Sequence, residues 1–290
     1  MPYVQSDGTR LYVEETGSGY PVIFVHEFAG DHRSWEDQVR RLSRVYRCVT
    51  FNARGFPPSD VPETASAYGY IRAVDDIAAV LGHLKISRAH VVGLSMGGYA
   101  ALLFGLRYRS MASALVVAGC GAGSEPSVHE TYVRDIPTRA DRLAREGVTR
   151  KVEDAIAAVN RGQLRQKDGI AWTRFVQHLG QHSAIGSALT LRHVQGTRPA
   201  LHEFEAELRA LETPLLIVTG DEDEQCLQPS LYLKRTVPGS GLWVVPWSGH
   251  AVNLEEPDTF NDALMSFFGA VERGAWQRFA RTTPFVDSRI

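Results

Sequence analysis

Short, wholly apolar runs alternate with amphipathic stretches along this chain, and that alternation leaves few folds open. Val22-Ile23-Phe24-Val25 and Ala89-His90-Val91-Val92 are continuous runs of the kind buried on both faces of a parallel sheet. Arg47–Phe51, Ala114–Ala118, Pro214–Thr219 and Gly241–Val245 read as further strands. Between them, Trp35, Val39, Leu42 and Val45 fall at helical spacing, as do Ile71, Val74, Ile77, Ala78 and Leu81. Met96–Arg107 reads as a helix, and Asp258–Val271 closes the pattern with Phe260, Leu264, Phe267 and Phe268 on one stripe. Ser6-Asp7-Gly8 ahead of Thr9–Glu15 is a turn signal that makes the first segment a hairpin. Strands and helices in this order predict an α/β fold, a mostly parallel sheet of about eight strands with helices on both faces.

Residues 125 to 203 break the rhythm. They hold no convincing strand, several short helical stretches, and glycines at 147, 162, 169, 180, 186 and 196. From 125 to 200 there are 12 Lys plus Arg against 8 Asp plus Glu, so the segment carries +4 and the remainder −6 of the chain's −2. Lying between two core strands, it is expected to be a helical lid, with residues 1–124 and 204–290 forming the core. Trp172, Phe175 and Leu179 make a stripe in it, and Trp172 and Phe175 are candidates either to line a substrate pocket or to dock the lid.

Gly93-Leu94-Ser95-Met96-Gly97 sits where a buried strand gives way to a helix, the context in which G-x-S-x-G becomes a nucleophile elbow. A serine thrust out on so tight a turn has strained backbone angles, and its neighbours two residues away must lack a β-carbon. The helix behind it favours negative charge developing nearby. Among ten histidines, His250 stands directly after the strand Leu242–Val245, at the strand end where α/β sheets bind ligands, and is the candidate base. Asp221, Asp223 and Glu125 are candidates for the acid that orients it. His178 and His182 are four apart but have no third ligand nearby and read as lid surface. His26-Glu27 begins like a zinc-binding H-E-x-x-H, but position 30 is Gly and the segment is a loop, so no metal site and no cofactor is expected.

With these motifs the chain resembles the α/β-hydrolase superfamily, in particular its soluble esterases, lactonases and carbon–carbon hydrolases, over residues 9–123 and 204–272. The resemblance implies the order nucleophile, acid, histidine. Its G-x-x-D motif selects Asp223 within Gly220-Asp221-Glu222-Asp223, and its histidine motif matches Gly249-His250-Ala251-Val252-Asn253-Leu254-Glu255-Glu256-Pro257. It further implies attack by Ser95 on a carbonyl, with His250 as base, Asp223 orienting it, and an oxyanion held by the N–H groups of Phe28 and Met96.

Two departures stand out. The superfamily's His-Gly-x-x-Gly loop is here His26-Glu27-Phe28-Ala29-Gly30, and its Asp-x-Arg-Gly is Asn52-Ala53-Arg54-Gly55. One carboxylate is lost and another gained, so Glu27 is expected to brace the oxyanion loop as the partner of Arg54. A solvent-facing Glu27, or one that meets a cationic substrate group, are the alternatives.

The expected activity is cofactor-free hydrolysis of carboxylic esters or lactones. Cleavage of carbon–carbon bonds in dienoic ring-cleavage products, cofactor-independent oxygenase or haloperoxidase chemistry, and ligand binding are alternatives on the same scaffold. A net charge of −2 without a basic tract argues against nucleic acid or an anionic membrane as partner, leaving a small-molecule substrate and room for a homo-oligomer. No apolar run approaches a membrane span, the first residues lack signal-peptide character, and three scattered cysteines form no disulfide framework, so a cytoplasmic protein is expected.

Overall fold

The computed structural model describes residues 2–276. Eight strands form one sheet in the order β1-β2-β4-β3-β5-β6-β7-β8: β1 (Tyr3–Ser6), β2 (Thr9–Thr16), β3 (Tyr20–Val25), β4 (Tyr46–Phe51), β5 (Ala89–Leu94), β6 (Ala112–Ala118), β7 (Leu215–Gly220) and β8 (Ser240–Val245). β1 and β2 form the hairpin expected from Ser6-Asp7-Gly8, turned by positive φ at Asp7 and Gly8, and β2 runs antiparallel to β4. The remaining pairings are parallel.

The apolar runs are explained by what covers them. Side chains along a strand alternate between faces. Ile23 and Val25, Val91, Leu115 and Val117, Leu215 and Ile217 point into one core, shared with α2 (Tyr70–His83) and α3 (Met96–Arg107). Val22 and Phe24, Val92 and Leu94, Val116 and Ala118, Leu216 and Val218 point into the other. There they meet Trp35, Leu42 of α1 (Glu36–Leu42) and, near the chain's end, Phe260, Leu264, Phe267 and Phe268. With helices on both sides neither face needs polar residues. Val45, the last member of the first helical stripe, lies past the end of α1 and is exposed.

Between β6 and β7 the chain is helical. α4 (Pro126–Glu146), α5 (Val148–Ala157), α6 (Gly162–Lys167), α7 (Gly169–Leu179) and α8 (Ala184–Thr190) lead to a wide helical turn at Leu191–Gln195, and α9 (Glu205–Arg209) follows. The first of these is longer than the short stretches read from sequence. It runs for 21 residues with Pro137 inside, and its solvated, charged face masks the buried positions Ile136, Ala140 and Leu143. α10 (Glu224–Thr236) packs between β7 and β8, and α11 (Val252–Glu255) and α12 (Pro257–Glu272) complete the described chain.

From β3 the chain crosses to β4 on one side and then returns to β5 on the other. That reversal opens a crevice beyond the carboxyl ends of β3 and β5, the place where open α/β sheets bind ligands.

The hairpin, the loop after β4 and α2 are tied by one buried ion pair. Arg54 donates to both carboxylate oxygens of Asp76, at 2.9 and 2.6 Å, and to the Ala67 carbonyl, while Ser6 Oγ donates to Asp76 at 2.6 Å. Arg54 therefore does not pair with Glu27 as the sequence led us to expect. Its partner lies 22 residues downstream on α2. Replacing Arg54 by Met should destabilise the fold by about 3–5 kcal/mol, because Asp76 is left buried without its cation. Urea unfolding of the two proteins checks this, and a loss below 1 kcal/mol would show the pair to be dispensable.

Candidate active site

Ser95 stands between β5 and α3 with φ 57° and ψ −114°, a conformation an L-residue adopts only where the surroundings impose it. Its N–H donates to the Ala118 carbonyl of β6 at 2.8 Å, which fixes the elbow to the neighbouring strand. The flanking glycines are required by contact. A β-carbon on Gly97 would lie 2.1 Å from the Val25 carbonyl oxygen, and one on Gly93 would lie 2.1 Å from the oxygen of Gly97. α3 is thus seated directly on the backbone of β3 and β5. Met96, its first residue, has an N–H that no carbonyl within the helix can reach.

Two further strand ends bring an aspartate and a histidine together. Asp223 follows β7 and starts α10, and His250 follows β8. His250 Nδ1 lies 2.7 Å from Asp223 Oδ2, with both side chains buried. Burial works against an ionised Asp223, yet the charge and hydrogen bond of His250, with bonds from Cys226 and Asn160, hold its pKa below the usual carboxylate range. The carboxylate can only accept, so the ring proton sits on Nδ1 and leaves Nε2 free to take another. Burial opposes the charged imidazole too, but Asp223 outweighs it and raises the His250 pKa, with Glu27 adding to the effect and Arg161 subtracting. The other candidate acids lie elsewhere: Asp221 is exposed and accepts the Ser248 N–H at 3.1 Å, and Glu125 is half-buried just before α4.

The loop carrying His250 is clamped on both sides. Buried Glu255 accepts the N–H of Gly249 at 2.6 Å and that of Ala251 at 3.2 Å. Asp223, Cys226 and His250 bring their donor atoms within 4.8 Å of one another, but here the buried Cys226 thiol, its pKa driven up, is a hydrogen-bond donor to Asp223.

His26 joins two loops. Its Nδ1 bonds the Glu27 carbonyl at 2.7 Å and its Nε2 accepts the Ala53 N–H at 3.0 Å. A ring that must donate on one side and accept on the other is neutral, and burial lowers its pKa to about 4. Asn52, in place of the superfamily's aspartate, accepts from the His32 N–H at 2.7 Å and donates to the Pro57 carbonyl at 2.7 Å.

Glu27 is neither solvent-facing nor paired with Arg54. It is 1% exposed and forms a two-pronged ion pair with Arg161, one arm being 3.0 Å from Nη1 to Oε1. Burial disfavours its charge, but Arg161 and His250 more than compensate and lower its pKa. Its Oε2 lies 4.0 Å from His250 Nε2, the nitrogen turned away from Asp223. Arg161 ends a short turn, Val159–Arg161, that the insert lays against the histidine loop. In the same turn the Asn160 carbonyl accepts the His250 N–H at 2.7 Å, and Asn160 Nδ2 reaches Asp223 Oδ1 at 3.4 Å. Nothing in the sequence marked Asn160 or Arg161, since the turn has no periodicity and its partners are 90 and 134 residues away.

Phe175 packs with Ala29, Leu164 and Leu179, beneath the Arg161 guanidinium at 5.1 Å, and Trp172 lies against it with ring centroids 5.6 Å apart. The two aromatics dock the insert onto the loop after β3. The cavity beside Phe28 is lined by other residues. His182 is a further correction: instead of lying on the surface it is buried, with Nε2 3.3 Å from Asp31 and Nδ1 2.9 Å from Lys151 Nζ.

Residues 20–257 match the family described as the alpha/beta hydrolase fold, and the chain belongs to that family. It is 26% identical to a putative 2-succinyl-6-hydroxy-2,4-cyclohexadiene-1-carboxylate synthase of Bacillus subtilis, over 92% of this chain and 97% of the relative. It is 25% identical to 3-oxoadipate enol-lactonase 1 of Acinetobacter baylyi, over 91% and 95%. Among solved structures, a thermophilic esterase from Thermogutta terrifontis superposes with a TM-score of 0.81 at 26% identity, covering 93% of this chain and 97% of that one. The protein is a hydrolase. Among the described residues no helix is long and apolar enough to cross a membrane.

The seating of α3 on the strands gives a direct test. Gly97→Ala must push the helix away from Val25, at a cost of about 1–3 kcal/mol of stability, and Ser95 must move with it. Thermal unfolding should register the loss. An alanine variant as stable as the parent would show that the contact is not tight.

Proposed function

We propose that the protein hydrolyses carboxylic esters or lactones through an acyl-enzyme, with Ser95 as nucleophile, His250 as general base and acid, and Asp223 orienting the imidazole. The observation that carries this reading is Ser95 on a strained elbow at the end of β5, on the same carboxyl edge of the sheet as β7 and β8, which are followed by a His250–Asp223 pair bonded at 2.7 Å. His250 Nε2 takes the Ser95 proton as the hydroxyl attacks, then returns it to the leaving oxygen; water repeats the cycle to release the acid. The Met96 N–H at the start of α3 and the Phe28 N–H in the loop after β3 receive the oxyanion. One such donor typically supplies about 3–4 kcal/mol. That loop is turned by the Gly30 N–H on the Glu27 carbonyl at 3.1 Å, and the Glu27 side chain is locked by Arg161. Similarity to an esterase and to an enol-lactonase supports the ester and lactone classes. The insert serves as lid, closing over the histidine with the Asn160 turn.

Ser95→Ala should fold normally and lose several orders of magnitude in kcat on p-nitrophenyl esters, and an organophosphonate should label Ser95 alone. Asp223→Asn should lose far more than Asp221→Asn or Glu125→Gln. Near-normal turnover by Ser95→Ala would overturn the serine mechanism.

The pH profile tests the electrostatics. Only neutral His250 can accept the serine proton, and its raised pKa places the acid limb of kcat/KM above the ordinary imidazole value of about 6.5. Glu27→Gln removes a negative charge that favours the imidazolium and frees Arg161, which disfavours it. Both effects lower the pKa, so the limb should move to lower pH. A limb that stays in place or moves upward would show that Glu27 does not act on the base.

A further inference from the structure

Among the described residues Lys151 is the one lysine drawn into the interior beside the site, and the catalytic scheme gives it no task. It is 4% exposed, on α5 of the insert. Its Nζ bonds His182 Nδ1 at 2.9 Å and Ser187 Oγ at 2.8 Å. It also lies 4.2 Å from the ring centroid of Phe28 and 4.9 Å from that of Phe56. Neither hydrogen-bond partner is an anion. The nearby carboxylates are already matched, Asp31 by Arg33 at 2.6 Å and Glu27 by Arg161. His182 transmits Asp31's hold, since its Nε2 donates to Asp31 and its Nδ1 is thereby left to accept from the lysine. An ammonium has three protons, and two are used. Burial therefore drives the Lys151 pKa well below its ordinary value despite the nearby Glu27 and Asp31, and an anion set against Nζ would restore the charge.

A cavity of about 160 Å³ opens at this lysine. Phe28, Leu143 and Leu191 form apolar walls, and three basic side chains, Arg139, Lys151 and Arg161, line it. Its one carboxylate, Asp154, is held by Arg150 at 2.6 Å and Arg142 at 3.2 Å. Arg139 is exposed at the rim and has no ionic partner among the described residues. At roughly 30 Å³ for each water-sized group, the space takes about five non-hydrogen atoms. Two methylenes and a carboxylate number the same. Phe28 and Ala29 belong both to this cavity and to the loop after β3, so the cavity borders the loop to which the proposed mechanism assigns the oxyanion.

We infer that this cavity is an anion subsite: the substrates are esters or lactones whose acyl arm ends in a carboxylate, received by Lys151 and Arg139. The arm's methylenes lie along Phe28 and Leu191, and its carboxylate supplies the countercharge that Lys151 lacks. The inference rests on the serine-hydrolase reading above and narrows its substrate class.

The test compares p-nitrophenyl hemiglutarate with p-nitrophenyl valerate, which match in length and differ in the terminal charge. The full-length protein should favour the hemiglutarate by about tenfold or more in kcat/KM, as expected for a charge-assisted bond. Arg139→Gln, a rim substitution, should cut that preference several-fold, mainly through KM. Lys151→Met should abolish it. Should Lys151→Met fail to fold, Arg139→Gln decides. A second arm needs no turnover: glutarate should raise the melting temperature of Ser95→Ala more than valerate does, and Arg139→Gln in that background should remove the difference. Equal cleavage of both esters, or a preference that survives Arg139→Gln, would overturn the subsite while leaving the serine mechanism standing. Cleavage that persists in Ser95→Ala would overturn the mechanism instead, and the glutarate shift would still judge the subsite.

Discussion

A buried pair of opposite charges, Glu27 and Arg161, holds the site together. Each would be expensive to bury alone, and together they offset that cost only through their two-pronged geometry. Glu27 belongs to the loop that leaves β3, and Arg161 to the insert that leaves β6. The pair therefore fixes the distance between two parts of the chain that share no sheet register. It also sets the field at His250 Nε2, because the anion lies 4.0 Å from that nitrogen and the cation just behind it.

Around that pair the polar interior is built from relays. Asp31 takes Arg33 directly and reaches Lys151 through His182, while His26 links the Glu27 carbonyl to the Ala53 N–H. Burial drives both histidines down, His26 to about 4 and His182 to about 3, so across neutral pH each is a neutral ring with one donor and one acceptor. Such rings transmit orientation without adding charge. Their neutrality keeps this crowded region from becoming a cluster of competing cations.

What could be read from sequence follows the range of the interactions involved. The strands announced themselves because both faces are covered, so Ile23 and Phe24 are equally apolar although they belong to different cores. Ser95 and its glycines were legible because the constraint is local, with each clash falling within the elbow or on the strand beside it. Asp223 and His250 came from motif and chain order. The pairings failed. Arg54 was matched to Glu27 by conservation of charge between two neighbouring loops, whereas its carboxylate sits on α2, and that of Arg161 lies 134 residues away. Ion pairs across the fold leave no periodic trace, and the insert offered only its net charge. His182 was misread for the same reason: its helical spacing from His178 was real, but the chain leaves α7 at Leu179 and carries His182 inward.

The Asn160 carbonyl accepts the backbone N–H of His250. An insert between two core strands would be a separable module if it met the core only through apolar packing. Here that modularity is lost. A transplanted cap would have to present a backbone acceptor to the histidine and a guanidinium to Glu27, or leave one donor and one carboxylate stranded. The Val159–Arg161 turn is thus tied to the histidine loop and to Glu27 as closely as a core element, although it belongs to the insert.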